Sequence, residues 1–160
     1  MVKVNIQFKG REELQRLLEE RKQALVAGLT DELSQLGESA VTYSKDNKGY
    51  RDRTANLKNS ISYELFLDGE LITTYIGQIP KPDAVKDGQH VVKTIIDTYA
   101  GKPGVVAPKG FSLIVVAGMD YARYVEDKGY NVLYLTKEYL RDEMKKILQR
   151  IVERINKGKS

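Results

Sequence analysis

The sequence is poor in the residues that carry most catalytic and redox chemistry. It has no cysteine and no tryptophan, and its single histidine is His90. Without cysteine the chain cannot form a disulfide, a thiolate metal site or a cysteine nucleophile. A lone histidine has no recognisable partners for a catalytic triad or a multi-histidine metal site. We therefore expect no metal and no redox centre.

Long apolar runs are also absent. No stretch approaches the roughly 20 apolar residues that span a bilayer, and the first residues lack the apolar core of a secretion signal. The 160 residues carry 26 basic and 22 acidic side chains, for a net charge of +4. This mild excess permits contact with nucleic acid or an acidic protein without arguing for either. The sequence predicts one domain over residues 1–160, with no membrane partner.

Motifs of enzyme sites are missing as well. The segment Gly101-Lys102-Pro103-Gly104 lacks the spacing and the hydroxyl residue of a phosphate-binding loop, so we interpret it as a turn. Asp120, Glu126 and Asp127 are close in sequence, but we expect a helix cap and an exposed helical face there rather than a cation site. We predict no catalytic residue, no cofactor and no enzymatic activity. An enzyme with an unrecognised site is the third hypothesis.

The first half of the chain alternates between strand and helix patterns. Apolar residues at every second position predict a strand over Val2–Phe8, and leucines at three- and four-residue steps predict a helix from 11 to about 45. Gly28 and Gly37 are weak points at which this helix could bend. Part of its leucine stripe is expected to pack on a neighbouring subunit. Thr54 is a candidate cap for a short helical turn.

A hairpin and a long insertion follow. Alternating residues predict a strand over 61–67, Asp68-Gly69 predicts a two-residue turn, and 71–77 supplies the returning strand. All four prolines lie in residues 78–110, which we interpret as an insertion that projects from the sheet. Within it, residues 91–99 fit a helix face or a strand.

The last third predicts one more strand and two helices. Phe111–Ala117 is a hydrophobic strand, after which Asp120 is expected to cap a short helix that stops at Gly129. Val132–Leu135 is predicted to be extended, and Thr136 to open a final helix with an apolar stripe. Residues 157–160 are expected to fray. The fold class is therefore α+β: a small antiparallel sheet packed against a long N-terminal helix and a C-terminal helix, with a long insertion between strands.

Two surface features suggest partners. Five of the ten tyrosines crowd residues 121–139, and tyrosine is enriched at protein interfaces. Tyr99, Tyr130 and Tyr134 are the candidate interface residues, although ordinary core packing explains such tyrosines equally well. The final helix also carries several basic residues, interrupted by acids. These residues are Arg141, Lys145, Lys146, Arg150 and Arg154. The alternative function is a small nucleic-acid-binding module that uses this helix.

Two segments stand out by their order along the chain. The first is Arg53-Thr54-Ala55-Asn56-Leu57-Lys58-Asn59-Ser60-Ile61, and the second is Met119-Asp120-Tyr121-Ala122-Arg123-Tyr124-Val125-Glu126 followed by Gly129. Together they resemble the tail-component (neck, or head–tail connector) family of tailed bacteriophages and prophages. The family typically shows a Thr-Gly-Asn-Leu-Arg-Asn-Ser-Ile type segment and, after a strand, a Tyr-Ala-x-Tyr-Val-Glu-x-Gly type segment. The matching positions are Thr54, Asn56, Leu57, Ser60, Ile61, Tyr121, Ala122, Tyr124, Val125, Glu126 and Gly129.

The resemblance implies a structural virion protein without catalysis. It implies a ring subunit at the head–tail junction that assembles with copies of itself and with connector, portal-proximal or tail-terminator proteins. DNA would be only passing cargo. The protein would be found in the virion, and in the bacterial host cytoplasm during assembly.

The sequence departs from the family pattern in four places. Ala55 replaces the usual glycine, so we expect the turn there to avoid a left-handed conformation. Asp127-Lys128 widens the gap before Gly129, residues 130–134 replace a proline-rich stretch, and the 78–110 insertion is long. The two segments could also serve only to form turns and helix starts within the monomer.

Overall fold

The computed structural model describes residues 10–51, 53–79 and 88–157. The chain divides into two compact units, residues 1–32 and 33–160. The predicted strand over Val2–Phe8 lies outside the described residues, as do the last three residues of the sequence.

Helix α1 spans Arg11–Asp46, as predicted. Glu12 and Glu13 lie in its first turn, where the helix dipole favours negative charge. In the second unit it buries a stripe with helical spacing, whose members are Leu33, Leu36, Gly37, Ala40, Val41 and Ser44. Gly37 lies in the buried face of an uninterrupted helix. A Cβ there would come within 2.6 Å of the Tyr63 ring, so glycine permits the close approach of α1 to that ring.

A short helix and a hairpin follow, close to their predicted bounds. Helix α2 spans Asn56–Asn59, strand β1 spans Ile61–Leu67 and strand β2 spans Glu70–Tyr75. Asp68 and Gly69 both have positive φ, at 53° and 88°, which suits the twist of a two-residue hairpin. The Asp68 carboxylate also accepts a hydrogen bond from the Gly110 N–H at 2.7 Å, which ties the turn to the start of the third strand.

The segment between β2 and β3 contains helix α3, Gly88–Ala100. Val92 and Ile96 on this helix are fully buried, and Ile96 packs with Phe66, Ile114 and Val116 of the sheet. The prediction that 78–110 projects from the sheet is therefore wrong for α3. Its apolar residues recur at helical spacing, so one face of the helix can cover one face of the sheet.

Strand β3 spans Phe111–Ala117, as predicted, and completes a three-stranded antiparallel sheet in the order β2-β1-β3. The two faces of the sheet pack against different elements. One face packs against α3, and on the other Ile61 and Tyr63 pack with Val41 of α1 and with Leu133. The predicted α+β class, with a small antiparallel sheet, a long N-terminal helix and a C-terminal helix, is confirmed.

Helices α4, Ala122–Asp127, and α5, Tyr134–Lys157, complete the chain. Helix α5 begins at Tyr134 and residues 132–133 form a bend, so the extended segment predicted for 132–135 is not observed and Thr136 is not a cap. Thr136 is instead buried, with its hydroxyl 2.6 Å from the hydroxyl of Ser44. Because Ser44 donates its single hydrogen to the Ala40 carbonyl, Thr136 is the donor in this pair and links α5 to α1.

Candidate functional site

The first family-like segment forms the turn that leads into β1. The Ser60 hydroxyl donates to the Leu57 carbonyl at 2.9 Å, and the Ser60 carbonyl accepts a hydrogen bond from the Gly118 N–H at 3.1 Å. Ser60 is completely buried, so these bonds satisfy groups that cannot reach water. The segment therefore joins α2 to the end of β3.

Ala55 adopts the left-handed conformation that the sequence was expected to avoid. Its φ is 62° and its ψ is 3°, and it precedes α2 without a side-chain cap. The expectation was wrong because the turn needs this geometry: the Ala55 carbonyl accepts the Asn59 N–H at 2.9 Å. Thr54 contributes a longer contact, with its hydroxyl accepting the Asn56 N–H at 3.4 Å. Ala55 thus occupies the backbone region that glycine favours.

The second family-like segment ends in a glycine stop. Gly129 has a φ of 82°, its N–H donates to the Glu126 carbonyl, and the Tyr130 N–H donates to the Val125 carbonyl. This pair of bonds is a Schellman motif, which confirms the predicted end of α4. The other end differs from the prediction, because the cap position is Tyr121 and no side chain caps it. Asp120 is therefore not the cap.

Glu126 has a role that the sequence did not reveal. Its carboxylate accepts hydrogen bonds from the backbone N–H groups of Val132 and Leu133, at 3.0 and 2.7 Å. We had expected an exposed helical acid. Two bonds from one carboxylate hold the connection from α4 to α5 against α4, and such charge-assisted bonds are stronger than neutral ones. In the sequence, this connection is signalled only by the glycine stop and the helix pattern that follows it.

The two family-like segments meet in the folded chain. Leu57 of the first and Ala122 of the second are both buried in one apolar cluster with Val132. Val125 packs at the margin of the same cluster. About sixty residues separate the segments in sequence, and the pairing of β1 with β3 brings them together. Together they form one structural unit, which we call the paired-segment cluster.

The tyrosines of this region divide into half-buried and exposed groups. Tyr139 stacks on Tyr43 of α1, with ring centroids 4.4 Å apart. The three candidate interface residues are all exposed: 44% for Tyr99, 52% for Tyr130 and 63% for Tyr134. Tyr124 is exposed as well. For these four residues, core packing is not the explanation in the isolated chain.

The first unit also presents apolar side chains to solvent. They are leucines of α1, each exposed by more than 40%, namely Leu14, Leu17, Leu18 and Leu25. These four leucines form a set of large exposed apolar side chains on one helix.

The basic face of α5 is largely neutralised by its own helix. Arg141 pairs with Glu138 at 2.7 Å, and Lys145 and Lys146 pair with the acids three residues before them. Hydrogen bonding to Lys145 lowers the pKa of Asp142, and hydrogen bonding to Glu143 raises the pKa of Lys146. These ion pairs place negative charge beside the basic side chains, which weakens the positive field that a phosphate backbone would meet.

One acid is buried in the second unit. Glu64, on the central strand β1, is 1% exposed, and its carboxylate lies 3.4 Å from the Nζ of Lys93. Lys93 also pairs with Asp97 on α3. Burial raises the pKa of Glu64, and Lys93 opposes that shift. Among the described residues, no group of histidine, cysteine or carboxylate side chains is arranged to hold a metal ion.

Two adjoining apolar cavities, of about 510 and 540 Å³, lie beside β3. The residues that line both of them are Tyr99, Val115, Leu133 and Lys137. We call this pair of cavities the edge groove.

Comparisons with protein families, with curated proteins and with solved structures found no match to this chain. Within the described ranges, no helix is both long enough and apolar enough to cross a lipid bilayer.

The single histidine of the sequence, His90, lies in α3.

Proposed function

We propose that the protein is a structural virion subunit of a tailed phage or prophage, located at the head–tail junction, and that it acts by protein–protein assembly rather than catalysis. The observation that carries this proposal is the paired-segment cluster. The two segments that resemble the tail-component family are distant in sequence, yet Leu57 and Ala122 pack in one core cluster. The antiparallel pairing of β1 with β3 places the two segments side by side, as a shared structural role requires.

Ala55 gives a second, independent support. The family segment typically has glycine at this position, and the backbone here is left-handed, which glycine adopts without strain. The chain thus keeps a glycine-type turn although it carries alanine. This agreement concerns backbone geometry, which the sequence alone did not suggest.

Exposed apolar surface supports assembly as the mode of action. The four leucines of the first unit and the four tyrosines described above in the second are exposed. Aromatic side chains of this kind dominate many protein interfaces. Contact with neighbouring subunits would remove this surface from water, a favourable process of roughly 25 cal/mol per Å² of apolar area. Nucleic-acid binding by α5 is less well supported, because Arg141, Lys145 and Lys146 are each paired with an acid of the same helix.

The proposal is tested by mixing the purified chain with any portal, connector or tail proteins that sequencing finds encoded beside its gene. Sedimentation and negative-stain microscopy would detect complexes or rings. We expect binding to at least one of these proteins, and we expect Tyr130→Ser combined with Tyr134→Ser to weaken it without changing the circular dichroism spectrum.

Ile72→Ser is the matched control, since Ile72 is a similarly exposed apolar residue on the other side of the sheet, in β2. A strictly monomeric chain that binds none of these proteins would contradict the proposal. Salt-dependent DNA binding that is lost when Lys145, Lys146 and Arg150 are changed to glutamate would favour the nucleic-acid alternative instead.

A further inference from the structure

One edge of the sheet is open in a way that suits another strand. In the order β2-β1-β3, strand β3 pairs with β1 along one side only, and no described strand pairs with its other side. An edge strand presents backbone N–H and C=O groups to any extended segment that approaches it. Addition of a strand to such an edge is a common mode of protein recognition.

The edge groove follows this open side. Helix α3 covers one face of the sheet and Leu133 lies on the other, yet the groove is lined by residues from both sides, including Ile95 of α3 and Leu140 of α5. Consecutive residues of β3, Leu113–Ala117, also line it. Because successive side chains of a strand point to opposite faces, a cavity that touches all of them must run along the edge.

The opposite edge does not offer the same site. Strand β2 begins with Glu70, carries Thr73 and Thr74, and pairs with β1 through an irregular register at Leu65/Phe66. Charged residues and bulges at an edge discourage further pairing. Strand β3 is apolar on both faces and has no such protection in its sequence, FSLIVVA.

We propose that the Val2–Phe8 segment of a second copy of this chain occupies the edge groove and adds to β3 as a fourth strand. The sequence predicts a strand there, outside the described residues, and its seven residues equal the length of β3. Val2, Val4, Ile6 and Phe8 alternate with polar residues. This alternation gives the segment one apolar face, which can continue one face of the sheet at this edge.

The inference rests on the proposed function, because it names the contact between subunits. Each subunit has one donor segment and one acceptor edge, which are different surfaces. Contacts between two different surfaces propagate head to tail and close into a ring when the rotation permits. A donor strand in the neighbouring subunit thus provides the geometry that a ring subunit requires.

The absence of cysteine permits a direct test in the full-length protein. One preparation would carry Asn5→Cys, and a second, distinguishable by a tag, would carry Val115→Cys in the edge groove. Val4→Cys and Ile6→Cys would replace Asn5→Cys in turn to cover the other registers. Under mild oxidation we expect a disulfide-linked dimer of tagged and untagged chains. Adding Ile6→Pro to the donor should remove it, since proline cannot donate to a strand ladder.

The matched acceptor control is Ile72→Cys on β2, which should not form the mixed dimer. The inference is overturned if Ile72→Cys links as well as Val115→Cys, if no donor position links to Val115→Cys, or if only a doubly substituted single chain links internally. Binding to the head–tail proteins, measured in parallel, separates the two ideas. Binding without the cross-link leaves the proposed function standing, whereas the cross-link without binding leaves only the strand contact.

Discussion

At the scale of single residues, the fold holds two residues in states that cost free energy, one in its backbone and one in its side chain. Ala55 has a left-handed backbone, which costs an L-residue roughly 1–2 kcal/mol relative to the right-handed form. Glu64 is a carboxyl buried on the central strand, where only Lys93 and Asp97 of α3 are close partners in the described structure. Each of these residues gives a test of the local structure.

We expect Ala55→Gly to raise the free energy of unfolding by roughly 1 kcal/mol, because glycine adopts a positive φ without steric strain. Ala55→Val should lower it, since a branched side chain is still less tolerant of this conformation. Urea denaturation at neutral pH would measure both. Equal stability of the glycine and valine variants would show that the turn is not left-handed.

Glu64 should make the protein less stable as the pH rises. Its pKa is raised above the usual value of 4.5, so between that value and the raised one the folded state binds more protons than the unfolded state. Under proton linkage, the free energy of unfolding then falls as the pH increases through this window. Glu64→Gln should flatten the dependence.

The difference between wild type and Glu64→Gln, measured by urea unfolding at several pH values above 4, isolates this one group. Surface acids such as Asp142, whose pKa is lowered, contribute equally to both proteins. Parallel curves for the two proteins would mean that the pKa of Glu64 is the same in the folded and the unfolded chain.

At the scale of elements, α1 illustrates how two similar residues serve different purposes. Gly28 and Gly37 are both helical glycines, and the sequence predicts that each weakens the helix. A Cβ at Gly28 would meet nothing within 4 Å, whereas one at Gly37 would collide with the buried ring of Tyr63. Only Gly37 is therefore required by packing.

We predict opposite effects for the two alanine substitutions. Gly28→Ala should raise the helix content or stability by up to ~1 kcal/mol, because alanine favours the helix. Gly37→Ala should lower the free energy of unfolding by about 1–3 kcal/mol, the usual cost of overpacking a core. Circular dichroism and thermal unfolding would measure both, and a stabilising Gly37→Ala would contradict the close approach to Tyr63.

At the scale of the whole molecule, burial is incomplete. Leu14 and Leu18 are half exposed in the first unit, and several tyrosines are exposed in the second. If assembly covers the leucines, changing them should affect association and not the folding of the isolated chain. Leu14→Glu combined with Leu18→Glu is therefore expected to abolish assembly while leaving the melting temperature unchanged.

The matched control is Gln15→Glu combined with Gln23→Glu, which adds the same charge to exposed positions of the same helix. Sedimentation velocity with the head–tail proteins would compare the three chains. Assembly that survives in the leucine variant, or is lost equally in the control, would show that this surface is not an interface.

Local patterns accounted for most of the elements. The spacing of apolar residues predicted α1, the hairpin and β3, because helix and strand periods are properties of the backbone. The glycine stop at Gly129 was also predicted, because glycine commonly ends a helix. The start of α5 and the conformation of Ala55 were not, since both depend on bonds to residues that the local pattern does not reveal.

The sequence by itself determined the α+β class and the lack of thiol chemistry, since each follows from composition and short-range order. Only the tertiary structure decided that α3 covers the sheet, that Glu126 holds the connection to α5, and that the two family-like segments meet. These facts depend on which strands pair and on which edge remains open. Pairing is a choice among distant segments, made by the packing of the whole core, and no local pattern encodes it.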